Sequence, residues 1–470
     1  MDRNEHIVVL GAGYVGLTTA VCLAHLGYTV DCVDHDPALV HALSTGHAHL
    51  DEPRLEDLLV TAITSAKISF TTTLEPVTRS SIVIVCLPTP ASSDGSADIS
   101  AIEQAITDLR DLLSPNSIIA IKSTVPVGTN SKLHSRLGRK GIALIANPEF
   151  LREGHAVNDF LSPNRVVIGG HDAVAVERFQ RLYRTFECPM IVTDPASAEL
   201  AKYAANAFLA TKISFINSIA TMCDALGADI DDIERTLTTD PRIGAGHLTS
   251  GPGWGGPCLP KDTASLIHQS ATAGLRLPLI EAALATNTQR IEYVIESIQC
   301  QLGVLTGRRI ATLGATFKVG TTDCRDSPAL RIINQLHQAG AIVSAHDPCL
   351  ATNADLGFQI FGDPYQAINH ADIVVILTAW PQYRELDWHE VARTMHGHTI
   401  VDTCRVADSH AVRLAGMKLH ALGRGAPYIK STLHQGNAGT EELVQRDLRG
   451  RRPSTTRHVG AVPVQQPRVR

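Results

Sequence analysis

Residues His6 to Leu10 form a short apolar run, and the turn Gly11-Ala-Gly13-Tyr14-Val15-Gly16 follows at once. A helix-like stretch then continues to about His25. No other feature constrains the fold as strongly. Gly11 permits a tight turn, Gly13 lets backbone N–H groups reach a pyrophosphate, and Gly16 lets helix and strand pack closely. The helix N-terminus presents its unpaired N–H groups to the phosphates. Asp34 ends the next strand, Tyr28 to Val33, roughly 20 residues on, where a carboxylate can bond a ribose 2′-OH. A carboxylate there repels a 2′-phosphate, which favours NAD over NADP. The bland alternative is a glycine-rich turn of some other α/β protein.

The alternation continues. Strands are expected at Ile82 to Leu87, Ile118 to Lys122, Ala143 to Ala146 and Val166 to Ile168. From Ala196 to Leu226 the chain lacks Pro and Gly and reads as one long helix. Helical patterns follow at Ile230 to Leu237, Asp262 to Gly274 and Leu279 to Leu302. Strand and helix signals restart at Arg309 to Leu313, with a helix at Ser327 to Ala339 and strands at Ala341 to His346, Ile373 to Thr378 and Thr399 to Asp402. The expected fold is α/β: two Rossmann-like, doubly wound domains joined by a long helical spacer. The expected boundaries are 1–195, 196–302 and 303–435, followed by an Arg/Pro-rich tail, 436–470, expected to be disordered.

Composition narrows the partners. A net charge of −6 offers no basic field for nucleic acid. The ten cysteines include no Cys-x-x-Cys pair, so neither a zinc ribbon nor a disulfide framework is expected, and no metal. No apolar run approaches the roughly 20 residues of a membrane helix. The N-terminus does not read as a signal peptide, and a cytoplasmic protein is expected.

One thiol stands out. Cys258 lies in Gly251-Pro-Gly-Trp254-Gly255-Gly-Pro257-Cys258-Leu-Pro-Lys261-Asp262, with four glycines and three prolines around it. Such a loop is rigid and open to close approach, and a nearby ammonium favours a reactive thiolate. A tight turn holding an inert cysteine is the plain alternative. Glu149 and Glu153 have the spacing of one helix face, and spacing alone favours a solvated turn with Arg152 as partner. Lys202 and Asn206 share a stripe on an apolar helix. They either contact a substrate oxygen or form one exposed stripe. Lys318 and Arg325 follow the first strand of the second α/β unit, where two cations suit a phosphate or are simply solvated.

These motifs in this order resemble the UDP-glucose/GDP-mannose dehydrogenase family. The resemblance spans about residues 6 to 435 and adds Asp94 to Asp98, Ser123 to Gly128, Asn147 to Gly154, Glu199 to Asn206 and Phe317 to Pro328. It implies an N-terminal NAD domain, a helical dimerisation spacer and a C-terminal nucleotide-sugar domain, hence a homodimer. It implies two NAD-dependent oxidations of a sugar C6 alcohol through a thiohemiacetal and a thioester on Cys258. Lys202 and Asn206 would stabilise the oxyanion. Asp262 with Thr124 would handle water, and Glu153 would transfer a proton. Glu149, Phe150, Leu151, Gly255 and Lys318 would hold the sugar nucleotide. Gly11 to Gly16, Asp34, Thr89, Thr124, Glu153, Lys261 and Arg325 would line the cofactor side.

UDP-glucose is the expected sugar, on Ser123 to Gly128, the Ala-rich helix and Lys261-Asp262. GDP-mannose or a UDP-N-acetylhexosamine is the nearest alternative. A simple β-hydroxyacid dehydrogenase would need neither the cysteine nor the second α/β unit. An inactive nucleotide-sugar binder draws only on departures from the family pattern. Those departures are Leu39 for a lysine after the ribose acid, Cys404 displacing an arginine to Arg405, and Trp254 and Pro257 beside the thiol.

Overall fold

The computed structural model describes residues 5–138, 141–353 and 356–425. The first sheet has eight strands: β1 (His6–Leu10), β2 (Thr29–Val33), β3 (Ile68–Thr71), β4 (Ile82–Val85), β5 (Ile118–Ile121), β6 (Ala143–Ala146), β7 (Val166–Gly169) and β8 (Met190–Thr193). Their order is β3-β2-β1-β4-β5-β6-β7-β8, parallel except at β6–β7. The second sheet contains β9 (Arg309–Leu313), β10 (Ile342–His346), β11 (Gln359–Phe361), β12 (Ile373–Ile376), β13 (Thr399–Asp402) and β14 (Lys418–Ala421). It is wholly parallel, in the order β11-β10-β9-β12-β13-β14.

Strand order reverses at β1 in one sheet and at β9 in the other. Ligand crevices open at the carboxyl ends of strands at such points. Central strands β4, β5 and β12 are buried at every residue. Helices cover both faces of a parallel sheet, so its central strands read as unbroken Ile/Val runs. Each such side chain contributes about 1.5–3 kcal/mol by leaving water.

Between the sheets runs helix Pro195–Leu226, 32 residues long. Asp194 caps it by accepting from Ser197 N–H at 2.9 Å, and Gly227 ends it at φ +78. It packs against helices Leu259–Thr272 and Pro278–Leu302. The two-domain α/β fold with a helical connection is therefore present.

The sequence pattern missed β3, β8, β11 and β14. All four are sheet edges. The stretch 147–152 is extended loop rather than helix, with Pro148 inside it and Gly154 at φ +79 just beyond, so Glu149 and Glu153 do not share a helical face. The expected tail, 436–470, lies outside the described residues.

Candidate active site

The fingerprint glycines are held as the turn requires. Gly11 sits at φ +90 and its N–H donates to Val33 O at 2.8 Å. A Cβ on Gly16 would lie 1.8 Å from Gly11 O, while one on Gly13 would meet nothing within 4 Å. Helix Tyr14–His25 has no side-chain cap and no acid in its first turn. No side chain caps its first N–H groups, which fits a dinucleotide pyrophosphate there. Asp34 Oδ2 accepts from Ala12 N–H at 2.7 Å, fixing the carboxylate beside the turn. Tyr14 donates to Glu52, which also accepts from the N–H of Ala156 at 3.0 Å. Val15 packs on the core and Thr89 is buried. Leu39 also packs on the N-terminal core, so the residue replacing a lysine has a structural use.

Glu149 and Lys202 meet as a buried ion pair, Nζ to Oε1 at 2.8 Å. Burial opposes both charges. Lys202 overcomes it at Glu149 and holds that carboxyl below its ordinary value. The carboxylate of Glu149, with Cys258 and Asp262, likewise raises the Lys202 ammonium against burial. The solvated-turn reading of Glu149 fails, and Arg152 pairs instead with Asp159. Asn206 is also buried and donates to Asp262 Oδ2 at 2.6 Å, so the exposed-stripe reading fails too. A cavity of about 360 Å³ is lined by Glu149, Phe150, Leu151, Lys202, Asn206 and Lys122, among others. Thr124 and Lys202 line an adjoining crevice.

Cys258 is the N-cap of helix Leu259–Thr272, and its carbonyl accepts from Asp262 N–H at 2.9 Å. Asp262 therefore stands one turn beyond the sulfur. Its Oδ1 takes Lys261 Nζ at 2.6 Å. Solvent reaches Cys258, yet protein crowds it on the remaining sides. That desolvation pushes the thiol up to about 11, with Lys202 opposing and Glu149 and Asp262 adding to the rise. The glycines have a visible cause. A Cβ on Gly255 would come within 2.1 Å of Asp326 O, and one on Gly256 within 2.6 Å of the Phe317 ring. Trp254 is buried, donating through Nε1 to Ser214 Oγ at 2.9 Å, while its backbone exchanges two bonds with Asn287. It braces the loop against two helices.

Glu153 joins the two α/β units. Its carbonyl accepts from Lys318 and its carboxylate from Thr321. Burial raises Glu153 above its ordinary value, and burial lowers Lys318. Arg325 is more exposed and pairs with Asp323.

Models of the UDP-glucose/GDP-mannose dehydrogenase family match three segments: its NAD binding domain over residues 5–187, its central domain over 196–289 and its UDP binding domain over 311–409. UDP-glucose 6-dehydrogenase TuaD of Bacillus subtilis (strain 168) is 38% identical, over 91% of this chain and 95% of that protein. The chain belongs to the UDP-glucose/GDP-mannose dehydrogenase family. Membership makes it a dehydrogenase of nucleotide sugars with an NAD binding domain. A UDP-glucose dehydrogenase from Pyrobaculum islandicum has a similar structure, with TM-score 0.81, 35% identity and coverage of 89% of this chain and 96% of that one. A UDP-D-ManNAc dehydrogenase from Pyrococcus horikoshii also reaches TM-score 0.81, at 27% identity, covering 90% and 100%.

Three residues that line the cavity or the adjoining crevice escaped sequence reasoning. Lys122 is buried in the cavity wall, where Nζ donates to Asn147 Oδ1 at 3.2 Å, and burial lowers its pKa. Asn147 in turn accepts from Tyr183 at 2.8 Å and donates to Val167 O at 2.8 Å. Glu199 accepts from the N–H groups of Gly128 at 2.6 Å and Asn130 at 2.7 Å, tying the Thr124 loop to the long helix. The signal for Lys122 was a lone cation ending an apolar strand. For Glu199 it was an acid one turn before Lys202.

Among the described residues, no group of three or more His, Cys, Asp or Glu is placed to hold a metal, and no helix is long and apolar enough to cross a membrane.

Proposed function

We propose that the chain oxidises UDP-glucose at C6, in two NAD-dependent steps, to UDP-glucuronate. The supporting observation is the convergence at one helix start: Cys258, Asp262 one turn on, Asn206 bonded to Asp262, and the buried Lys202–Glu149 pair. NAD, bound at the glycine turn, supplies the hydride acceptor for each oxidation. Lys202 and Asn206 stabilise the alkoxide that forms as C6 is oxidised. The Cys258 sulfur adds to the resulting aldehyde, its proton leaving to a neighbouring base, and a thiohemiacetal forms. A second hydride loss leaves a thioester. Water held by Thr124 attacks it as Asp262 takes the water's proton, and the thiol is released with the carboxylate product. Two NADH form per acid released. Glu149 holds Lys202 ionised, and Glu153 serves proton transfer from its desolvated position between the two units. Lys318, Arg325 and the backbone at Gly255 hold the nucleotide, whose binding elements end at the carboxyl edge of β9. Thr89 and Lys261 line the cofactor side.

The deciding experiment is a panel of UDP-glucose, GDP-mannose and UDP-N-acetylhexosamines, with NADH counted and product mass measured. Two NADH per UDP-glucuronate are expected. Turnover of another sugar with none of UDP-glucose would overturn the substrate. One NADH per product would overturn the covalent route.

A further inference from the structure

Asp402, the last residue of β13, turns its carboxylate onto its own chain. Oδ1 accepts from the N–H of Cys404 at 2.9 Å and of Arg405 at 2.7 Å, and Oδ2 from that of Ala407 at 2.8 Å. The winding leaves Arg405 at φ +59, a left-handed conformation that is costly for a residue with a Cβ. Such strain persists where surrounding contacts over-determine it, and they do so here. The Arg405 side chain is 4% exposed. Nε donates to Asp231 Oδ1 at 2.7 Å and Nη2 to Glu234 Oε1 at 2.9 Å. Nη1 donates to Ser250 Oγ at 2.7 Å and to Ser250 O at 3.2 Å. Glu234 Oε1 also accepts from Ser250 N–H at 2.7 Å. A planar fork can serve these acceptors together, whereas a lysine ammonium cannot.

Ser250 immediately precedes the cysteine loop. The next residue is fixed from two sides: Gly251 N–H donates to Asn217 Oδ1 at 2.8 Å and Gly251 O accepts from Arg290 Nε at 2.8 Å. At the far end, Gly256 N–H donates to Arg325 O at 3.1 Å, in the segment after β9. The second sheet thus grips the loop at both ends, from β13 through Arg405 and from β9 through Arg325. Cys258 lies just past the second grip.

We infer that Arg405 is a positioning residue that sets Cys258 against the carboxyl edge of the second sheet by fixing the start of the cysteine loop. It touches no reacting group and acts through Ser250. The inference rests on Cys258 being the nucleophile.

The test uses the full chain with Arg405→Lys, Arg405→Ala and Cys258→Ser. Steady-state kinetics with UDP-glucose are combined with the rate of Cys258 alkylation by iodoacetamide, read by peptide mass, and with the thermal midpoint. Arg405→Lys is expected to lower kcat about tenfold and change the alkylation rate about threefold, with KM for NAD unchanged. Wild-type kcat and alkylation in folded Arg405→Lys overturn the inference, as does a loss confined to the thermal midpoint. If Arg405→Ala fails to fold, Arg405→Lys decides. If that also fails, Ser250→Ala must lower kcat without moving KM for NAD, or the inference falls. Acid release by Cys258→Ser would instead overturn the functional reading. An inactive Cys258→Ser beside an unaffected Arg405→Lys removes this inference alone.

Discussion

At neutral pH a thiol pushed up to about 11 is almost wholly protonated, with roughly one thiolate in ten thousand. Cys258 must therefore lose its proton as it attacks rather than wait ionised. Its alkylation rate should keep climbing beyond pH 9. Lys202→Met removes the main opposing charge, so the rise should come at higher pH, and kcat should drop about 10²–10³-fold with an oxyanion donor lost. An unshifted alkylation profile in that variant would sink the electrostatic link. The Lys202–Glu149 pair carries a second expectation. Removing one partner strands the other in a buried site, so Glu149→Gln should cost about 3–5 kcal/mol in urea unfolding. A loss below about 1 kcal/mol, the range of surface pairs, would contradict it.

Among elements, helix Thr129–Leu137 owes its start to a carboxylate from another helix, Glu199. Burial raises Glu199 from 4.5 to about 7, against bonds from Gly128 and Asn130 that lower it. Between those values the folded chain keeps a proton that the unfolded chain has lost. Glu199's contribution to stability is therefore full below pH 4.5 and fades as pH rises through 7. Glu199→Gln cannot titrate. Its thermal midpoint, relative to wild type, should rise from pH 5 to pH 8, and a pH-independent difference would rule this out.

Element by element, legibility followed burial. The central strands announced themselves because both faces are covered. The four edge strands pair on one side only and carry mixed residues, as in Gln359-Ile-Phe361 and Lys418-Leu-His-Ala421, so their pattern was faint. Lys202 and Asn206 were visible against a background of small apolar residues. Spacing alone misplaced Glu149 on a solvated helical turn, because spacing says nothing about a loop, and its partner lies 53 positions away. Arg405 was unreadable for the same reason: its acceptors sit 155 to 174 positions upstream.

On the scale of the whole molecule, the long helix leaves Phe208, Phe215 and Met222 exposed at seven-residue spacing. A stripe of that period can pack against its own copy about a two-fold axis, so a second copy of this chain is the occupant proposed for it, in line with the expected homodimer. Phe215→Glu with Met222→Glu should halve the mass seen by light scattering. A mass equal to that of wild type would remove this seam from the interface.

The cysteine loop is bonded to the half of the molecule that ends in the second sheet, while the glycine turn belongs to the first. An acyl group on the sulfur would then be leashed to the side that grips its nucleotide. A spent carrier could then be exchanged for a fresh one at the first sheet, with the half-finished sugar never adrift.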